Sequence, residues 1–385
     1  MARPAPERSP ASSRGFAAFA PDTPVRLRPA GLLEGAAAAA AIDQGRALPL
    51  GGGPVTFAEV EALARAPGGG SISAYGTVTD LLRWSAEQWP MLGERIANGL
   101  AAVVAPRRPW AGLALDHPRL MAVLDVSPAG SSLGGESDFD PAPAIAQGQA
   151  LLAAGADIID ISSDAARPGG AAVSPDEETR RLEPVIRALV EAGAVVSVGT
   201  RRAAVAGAGL AAGARIISDP TALAGDEQSL AVAAESGAAV VLMHAAADPQ
   251  ELDKSRYEDA AFDVLDFLEA RIAACEAAGI PRERLAVDPG IGFGKADPRS
   301  RALMERLTLF HTTGCAVVVG AARKFATTRA GRGESGKGRI GGSLAAALWA
   351  ASQGVQILRV QDVAETRQAL IIRQAIVRGA PLALS

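Results

Sequence analysis

From Leu120 onwards, short apolar runs of strand length alternate with Ala- and Leu-rich segments of helical period. This alternation constrains the fold more than any single motif. The runs are Leu120–Leu124, Ile158–Ile161, Val195–Val198, Arg215–Ile217, Ala239–Met243, Leu285–Val287, Ala316–Val319 and Gln356–Val360. Helix candidates lie between them, such as Phe262–Ala274, in which Leu265, Leu268 and Ile272 recur at three and four residues. Eight strand candidates, each followed by a helix, spread over about 265 residues, predict an α/β chain folded as a (β/α)8 (TIM) barrel. An open doubly wound sheet is the rival, and it is weakened because no dinucleotide-binding glycine fingerprint opens the first unit.

The 385 residues leave room for such a barrel plus an appendage. Residues 1–24, rich in Pro, Ala, Ser and Arg, read as a disordered tail. Residues 25–112 read as an N-terminal appendage of unassigned role, and residues 113–385 as the barrel. Within the appendage, Phe57–Arg65 reads as a short helix ended by Ala66-Pro-Gly-Gly-Gly70, and Asp80–Leu100, with Trp84 and Trp89, as one amphipathic helix. A net charge of −4, with both signs mixed along the chain, offers no footprint for nucleic acid or an anionic membrane. No apolar run approaches the length of a membrane-spanning helix, and no signal-peptide pattern opens the chain. Cys275 and Cys315 read as small core residues in a reducing compartment, so a cytoplasmic location is expected. Three histidines and no Cys cluster speak against structural zinc.

In a barrel of this kind the active site sits at the C-terminal ends of the strands. The residues there are polar: Asp125, Ser162-Ser163-Asp164, Thr200, Ser218-Asp219, His244, Asp288, Arg323-Lys324 and Arg359 to Gln361. Carboxylates suit a flat ring with several N–H groups, and cations suit phosphate oxygens. The most specific stretch is Leu285-Ala-Val-Asp288-Pro-Gly-Ile-Gly-Phe-Gly-Lys295, an apolar strand ending in a carboxylate and a glycine-rich turn that lets the backbone approach a ligand. Gly331-Arg-Gly-Glu-Ser-Gly336-Lys337 fits part of a P-loop, but Gly338 follows where Ser or Thr is needed, so a mobile loop, able to close over the site, is the better reading. His244 reads as a strand-end histidine, His117 and His311 as surface or packing residues, and Arg180-Arg181 and Arg201-Arg202 as solvated helix charges.

These residues resemble dihydropteroate synthase, the pterin-binding barrel of folate synthesis, over about Leu113 to Leu382. The strongest matches are Leu285–Lys295 and Arg339-Ile-Gly-Gly-Ser-Leu-Ala-Ala-Ala347. Asp157-Ile-Ile-Asp-Ile161 with Arg167-Pro-Gly169, Val241-Leu-Met-His244 and Arg359-Val-Gln-Asp-Val363 follow the family order. The resemblance implies a transferase that joins p-aminobenzoate to the methylene carbon of a dihydropterin as pyrophosphate leaves. Mg²⁺ and cations would stabilise the departing anion while the protein positions the reactants. It also implies roles. Asp288, Met243, Phe293, Gly292, Ser218 and Lys324 would bind the pterin. Arg359, Gln361 and Arg167 would face the anion, Asp125 the metal, and Lys324, Arg359 and Arg167 would serve the chemistry. Family members usually dimerise through helices at the end of the barrel, so a homodimer is expected; the apolar Leu344–Ala351 segment could support it, although an internal barrel helix is the better reading of that segment.

The chain departs from the family pattern at strand ends and loops. The first loop, Asn-Val-Thr-Pro-Asp-Ser-Phe-Ser-Asp in the family, is Asp125-Val-Ser-Pro-Ala129-Gly130-Ser131-Ser-Leu133. Ser-Thr-Arg-Pro is Ala165-Ala166-Arg167-Pro168, Ile-Asp-Thr is Val198-Gly199-Thr200, Asn-Asp is Ser218-Asp219, Arg-Val-His is Arg359-Val-Gln361, and the serine before Arg323 is Ala322. A hydrogen bond to a charged partner is worth about 1.5–3 kcal/mol, so several losses predict weakened synthesis of ordinary dihydropteroate with pterin binding retained. The small side chains at Ala129, Gly130 and Ala166 suit a larger arylamine. The alternatives are a non-catalytic homologue that binds a pterin or a partner protein, and a pterin-dependent methyltransferase.

Overall fold

The computed structural model describes residues 16, 19–20, 23–66, 70–87, 90–127, 139–163, 173–245, 259–293, 297–320 and 340–378. The chain divides into two compact units, Met1–Pro106 with His311–Gly314, and Arg107–Phe310 with Cys315–Ser385. The first holds strands β1 (Arg26–Leu33), β2 (Leu48–Pro49), β3 (Thr56–Arg65) and β4 (Ser71–Thr77), with helices α1 (Gly35–Asp43), α2 (Val78–Glu87) and α3 (Met91–Val104). Strand β3 is central, antiparallel to β1 along one edge and to β2 and β4 along the other.

Two expectations for this unit are corrected. The segment expected as a helix, Phe57–Arg65, is strand β3. Its Glu, Ala and Leu residues favour helix, but pairing along both edges and burial of Phe57, Val60, Ala62, Leu63 and Ala64 outweigh that preference. The single helix expected over Asp80–Leu100 is two, α2 and α3, parted around Pro90. Proline offers no N–H to a preceding turn and pushes the residue before it out of the helical region.

The second unit is a closed barrel of eight parallel strands: β5 (Arg119–Asp125), β6 (Ile158–Ser162), β7 (Val195–Gly199), β8 (Ile216–Asp219), β9 (Ala239–Met243), β10 (Leu285–Asp288), β11 (Ala316–Gly320) and β12 (Ile357–Val360). Neighbours in sequence are neighbours in the sheet, and β12 pairs with β5 to close it. Each strand is followed by a helix: α4 (Ala142–Ala153), α5 (Pro175–Glu191), α6 (Ala203–Ala211), α7 (Ser229–Ser236), α8 (Ala260–Ala277), α9 (Asp297–Glu305), α10 (Ile340–Ser352) and α11 (Val363–Arg378). The eight expected strands and the (β/α)8 architecture are therefore present, with boundaries moved by a residue or two. Among the described residues Cys275 and Cys315 are buried and form no disulfide, and burial pushes the Cys275 thiol up to about 11. Among the described residues no helix is long and apolar enough to cross a membrane.

Side chains point into the barrel at every second strand position. Met121, Ile158, Ile216, Ala239, Val241, Ala286, Ala316, Val318 and Ile357 form one apolar cluster with Trp110 and Leu115. Trp110, fully buried, donates its indole N–H to the Arg284 carbonyl at 3.0 Å, so the segment before β5 closes the floor. Two residues further along β6, β8, β10 and β12 the inward positions turn polar.

Candidate active site at the mouth of the barrel

Those four positions are Asp160, Ser218, Asp288 and Arg359, one from each alternate strand. Packing of this kind builds barrel interiors in layers of four. Here the layer is polar and closed on itself. Arg359 donates from Nη1 to Asp288 Oδ2 at 3.1 Å and from Nη2 to the Ser218 hydroxyl at 2.8 Å, and its Nε lies 3.2 Å from Asp160 Oδ2. The sulfurs of Met121 and Met243 lie 3.5 and 3.6 Å from the same guanidinium. All four members are buried, Asp288 to 1% exposure and Arg359 to 6%. Taking charges out of water is costly, and planar guanidinium donors shared between two carboxylates offset that cost by direct pairing.

Each carboxylate is also held from its own side. Gly290 donates its backbone N–H to Asp288 Oδ1 at 2.7 Å, and the Ser197 hydroxyl donates to Asp160 Oδ1 at 2.7 Å. The turn after Asp288 runs through Gly290 and Gly292 with φ of 67° and 76°, a region that side chains disfavour. Gly292 N–H meets the Ser300 hydroxyl at 3.3 Å, and the turn sets Phe293 beside Gly320 at the end of β11. The glycine-rich stretch thus orders a loop over the mouth while presenting its carboxylate inward.

Of the residues expected in the site, Asp288, Ser218, Met243 and Arg359 are brought together, with Gly292 and Phe293 on the adjoining turn. Gln361 is exposed, two residues beyond Arg359. Asp125 ends β5, half-buried, and its Oδ1 accepts the Ser127 N–H at 2.9 Å. Arg167 and Lys324 lie outside the described residues, as do Ala129, Gly130, Ala166 and the Gly331–Lys337 stretch. His244, at the end of β9, packs its ring edge-on against Phe267 with centroids 4.8 Å apart. Asp219 faces away from this layer. Its Oδ1 accepts both the N–H and the hydroxyl of Thr221 at 2.6 Å, and burial raises its pKa.

Sequence reasoning missed Asp160 and Ser197 as members of the site. Their signal was present: a charge and a hydroxyl interrupting apolar strands at inward positions. It also misplaced Arg181, expected in solvent. Arg181 is fully buried, reaches the Val126 carbonyl at 3.4 Å and covers the Phe139 ring. Arg202 pairs with the buried Glu178. Both arginines tie α5 to the segments beside the mouth, a contact that helical periodicity does not reveal.

Residues 121–361 match the family described as "Pterin binding enzyme". The dihydropteroate synthase of Escherichia coli (strain K12) is 37% identical over 268 residues, covering 68% of this chain and 93% of that protein. A probable bifunctional folylpolyglutamate synthase/dihydropteroate synthase of Haloferax volcanii is 40% identical over 263 residues. The match takes in 68% of this chain but only 31% of that longer relative. Among solved structures, Xanthomonas albilineans dihydropteroate synthase in complex with 7,8-dihydropteroate matches with a TM-score of 0.62 and 38% identity, over 69% of this chain and 95% of that one.

Proposed function

The chain belongs to the pterin-binding enzyme family, and from that premise we propose that it is a dihydropteroate-synthase-type transferase of folate or related pterin-cofactor synthesis. It joins the methylene carbon of a dihydropterin, from which pyrophosphate departs, to an arylamine. The observation that carries this reading is the buried Asp288 carboxylate, fixed by the Gly290 N–H and aimed into the barrel beside Arg359 and Ser218. A carboxylate held in this way accepts N–H donors of a flat heterocycle. Met243 and Phe293 supply apolar surface for its faces.

Bond making here asks little covalent chemistry of the protein, which positions the two reactants and offsets the charge of the leaving group. Arg359 is the described cation at the mouth. Arg167 and Lys324 join the reading on the resemblance of their motifs alone, as anion-facing and substrate-facing cations. Mg²⁺ takes hard oxygen ligands and usually one or two carboxylates beside substrate phosphates, which the Asp125 carboxylate fits. When bound, the metal supplies charge neutralisation at the departing diphosphate. Two buried thiols in a chain of this activity favour the cytoplasm. A homodimer belongs to the same proposal. Its face would be the largely apolar groove of about 530 Å³ between α10 and α11, where Leu344, Leu348, Ile372 and Ile376 are joined by Glu365 and Arg373.

A non-catalytic pterin binder is the second reading, favoured by the lack of a carboxylate at Gly199 and by Gln361, exposed just beyond β12 where the family pattern has histidine. Titration calorimetry of the full chain with dihydropterin pyrophosphate and with bare dihydropterin, each with and without Mg²⁺, separates the two. Magnesium-dependent preference for the pyrophosphate form, abolished in Asp288→Ala, is the expected result. Binding of the bare ring alone points to the non-catalytic reading, and binding of neither overturns both.

A further inference from the structure

Resting on that reading, we propose that Arg181 is a positioning residue for the diphosphate end of the site, acting on Asp125 through a single peptide unit. The carbonyl of Val126 accepts from Arg181 Nη1 at 3.4 Å, and the N–H of Ser127 donates to Asp125 Oδ1 at 2.9 Å. Both groups belong to the Val126–Ser127 peptide, which is planar. Fixing its carbonyl therefore fixes the N–H that orients the carboxylate. The same guanidinium lies over the Phe139 ring, 4.9 Å from its centroid. Val126 follows β5 and Phe139 precedes α4, so one buried side chain holds the chain on either side of residues 128–138.

The burial of Arg181 is not explained by its ion pair. Glu177, its partner one turn back in α5, is half-buried, and a helical pair of this spacing forms equally well in solvent, where it is worth little. Glu177 is also held by Arg180, which donates to its two oxygens at 2.7 and 2.8 Å. Full burial of a guanidinium carries a desolvation cost that an apolar side chain would avoid. What the burial achieves is planar contact with a carbonyl and an aromatic face, which suits arginine and neither lysine nor an alkyl chain. The ring-facing residues stand on other strands, Ser218 on β8, Met243 on β9 and Asp288 on β10. Arg181 is thus placed to act on the anion end and not on the ring.

The test is the ratio of two affinities, for dihydropterin pyrophosphate and for bare dihydropterin. Calorimetry with Mg²⁺ measures it on wild type, Asp125→Ala, Arg181→Met and the double variant. Arg181→Met is expected to lower the ratio about tenfold, weakening the pyrophosphate form while the bare ring binds as before. In the Asp125→Ala background it should add nothing further, because the group it positions is gone. A purely structural role would weaken both ligands alike or leave both unchanged, and either result overturns the assignment. Losses that add in the double variant overturn it as well. An Asp125→Ala ratio equal to wild type rejects the proposal and leaves the transferase reading intact. Phe139→Leu, which keeps the apolar volume and removes the ring face, covers the case in which Arg181→Met does not fold. It should lower the ratio in the same direction, and an unchanged ratio counts against the proposal. Should wild type bind neither ligand, the pterin reading itself fails.

Discussion

Arg359 carries two demands at once, pairing with buried carboxylates and facing the anion end of the substrate. Replacing it with Met leaves Asp160 and Asp288 buried with no cation between them. Removing one partner of such a cluster costs about 3–5 kcal/mol, which urea unfolding at neutral pH measures. Asp219 makes a separate prediction with its sign set by burial. Because its pKa is raised in the folded protein, its contribution to stability is fully present below the usual carboxylate pKa and is lost as pH rises through the folded value. Asp219→Asn keeps an oxygen for Thr221 and removes the buried charge. Its melting temperature should therefore exceed wild type at pH 7 and converge with it in acid. At this scale Asp288 was legible in the sequence because a carboxylate followed by glycines ends an apolar run. Asp160 was passed over, although a charge interrupts an apolar run there, because its partners Ser197 and Arg359 lie on other strands.

Helices and strands show where local pattern suffices and where it is overruled. The barrel strands were legible to within a residue or two, because apolar runs flanked by helical segments leave few other ways to bury both faces of a parallel sheet. Strand β3 was not, since its residues favour helix and only its neighbours β1 and β4 make it a strand. Helix α6 offers a paired test of packing against propensity. A Cβ on Gly209 would lie 2.8 Å from Val198 Cγ2 and 3.0 Å from its Cβ, and a β-branched neighbour on a barrel strand cannot turn away. Gly207, in the same helix, has nothing within 4 Å of its would-be Cβ. Alanine in place of glycine adds about 1 kcal/mol of helix propensity, while overpacking costs about 1–3 kcal/mol. Gly207→Ala should therefore raise the melting temperature and Gly209→Ala lower it.

For the molecule as a whole, the groove between α10 and α11 makes the dimer testable. Ile372 and Ile376 line it at 42% and 75% exposure, high for isoleucines with no role in solvent. Sedimentation at micromolar concentration should give a dimer for wild type and a monomer for Ile376→Glu, and a wild-type monomer would remove the dimer from the reading. By itself the sequence determined the barrel, its eightfold order and the carboxylate-and-glycine turn at Asp288. Hydrophobic period and turn chemistry are local, and they act in the same way wherever the chain goes. Only the tertiary structure decided that Asp160, Ser218, Asp288 and Arg359 share one layer. They are spread over some 200 residues, and closure of the barrel, β12 onto β5, places Arg359 within reach of all three.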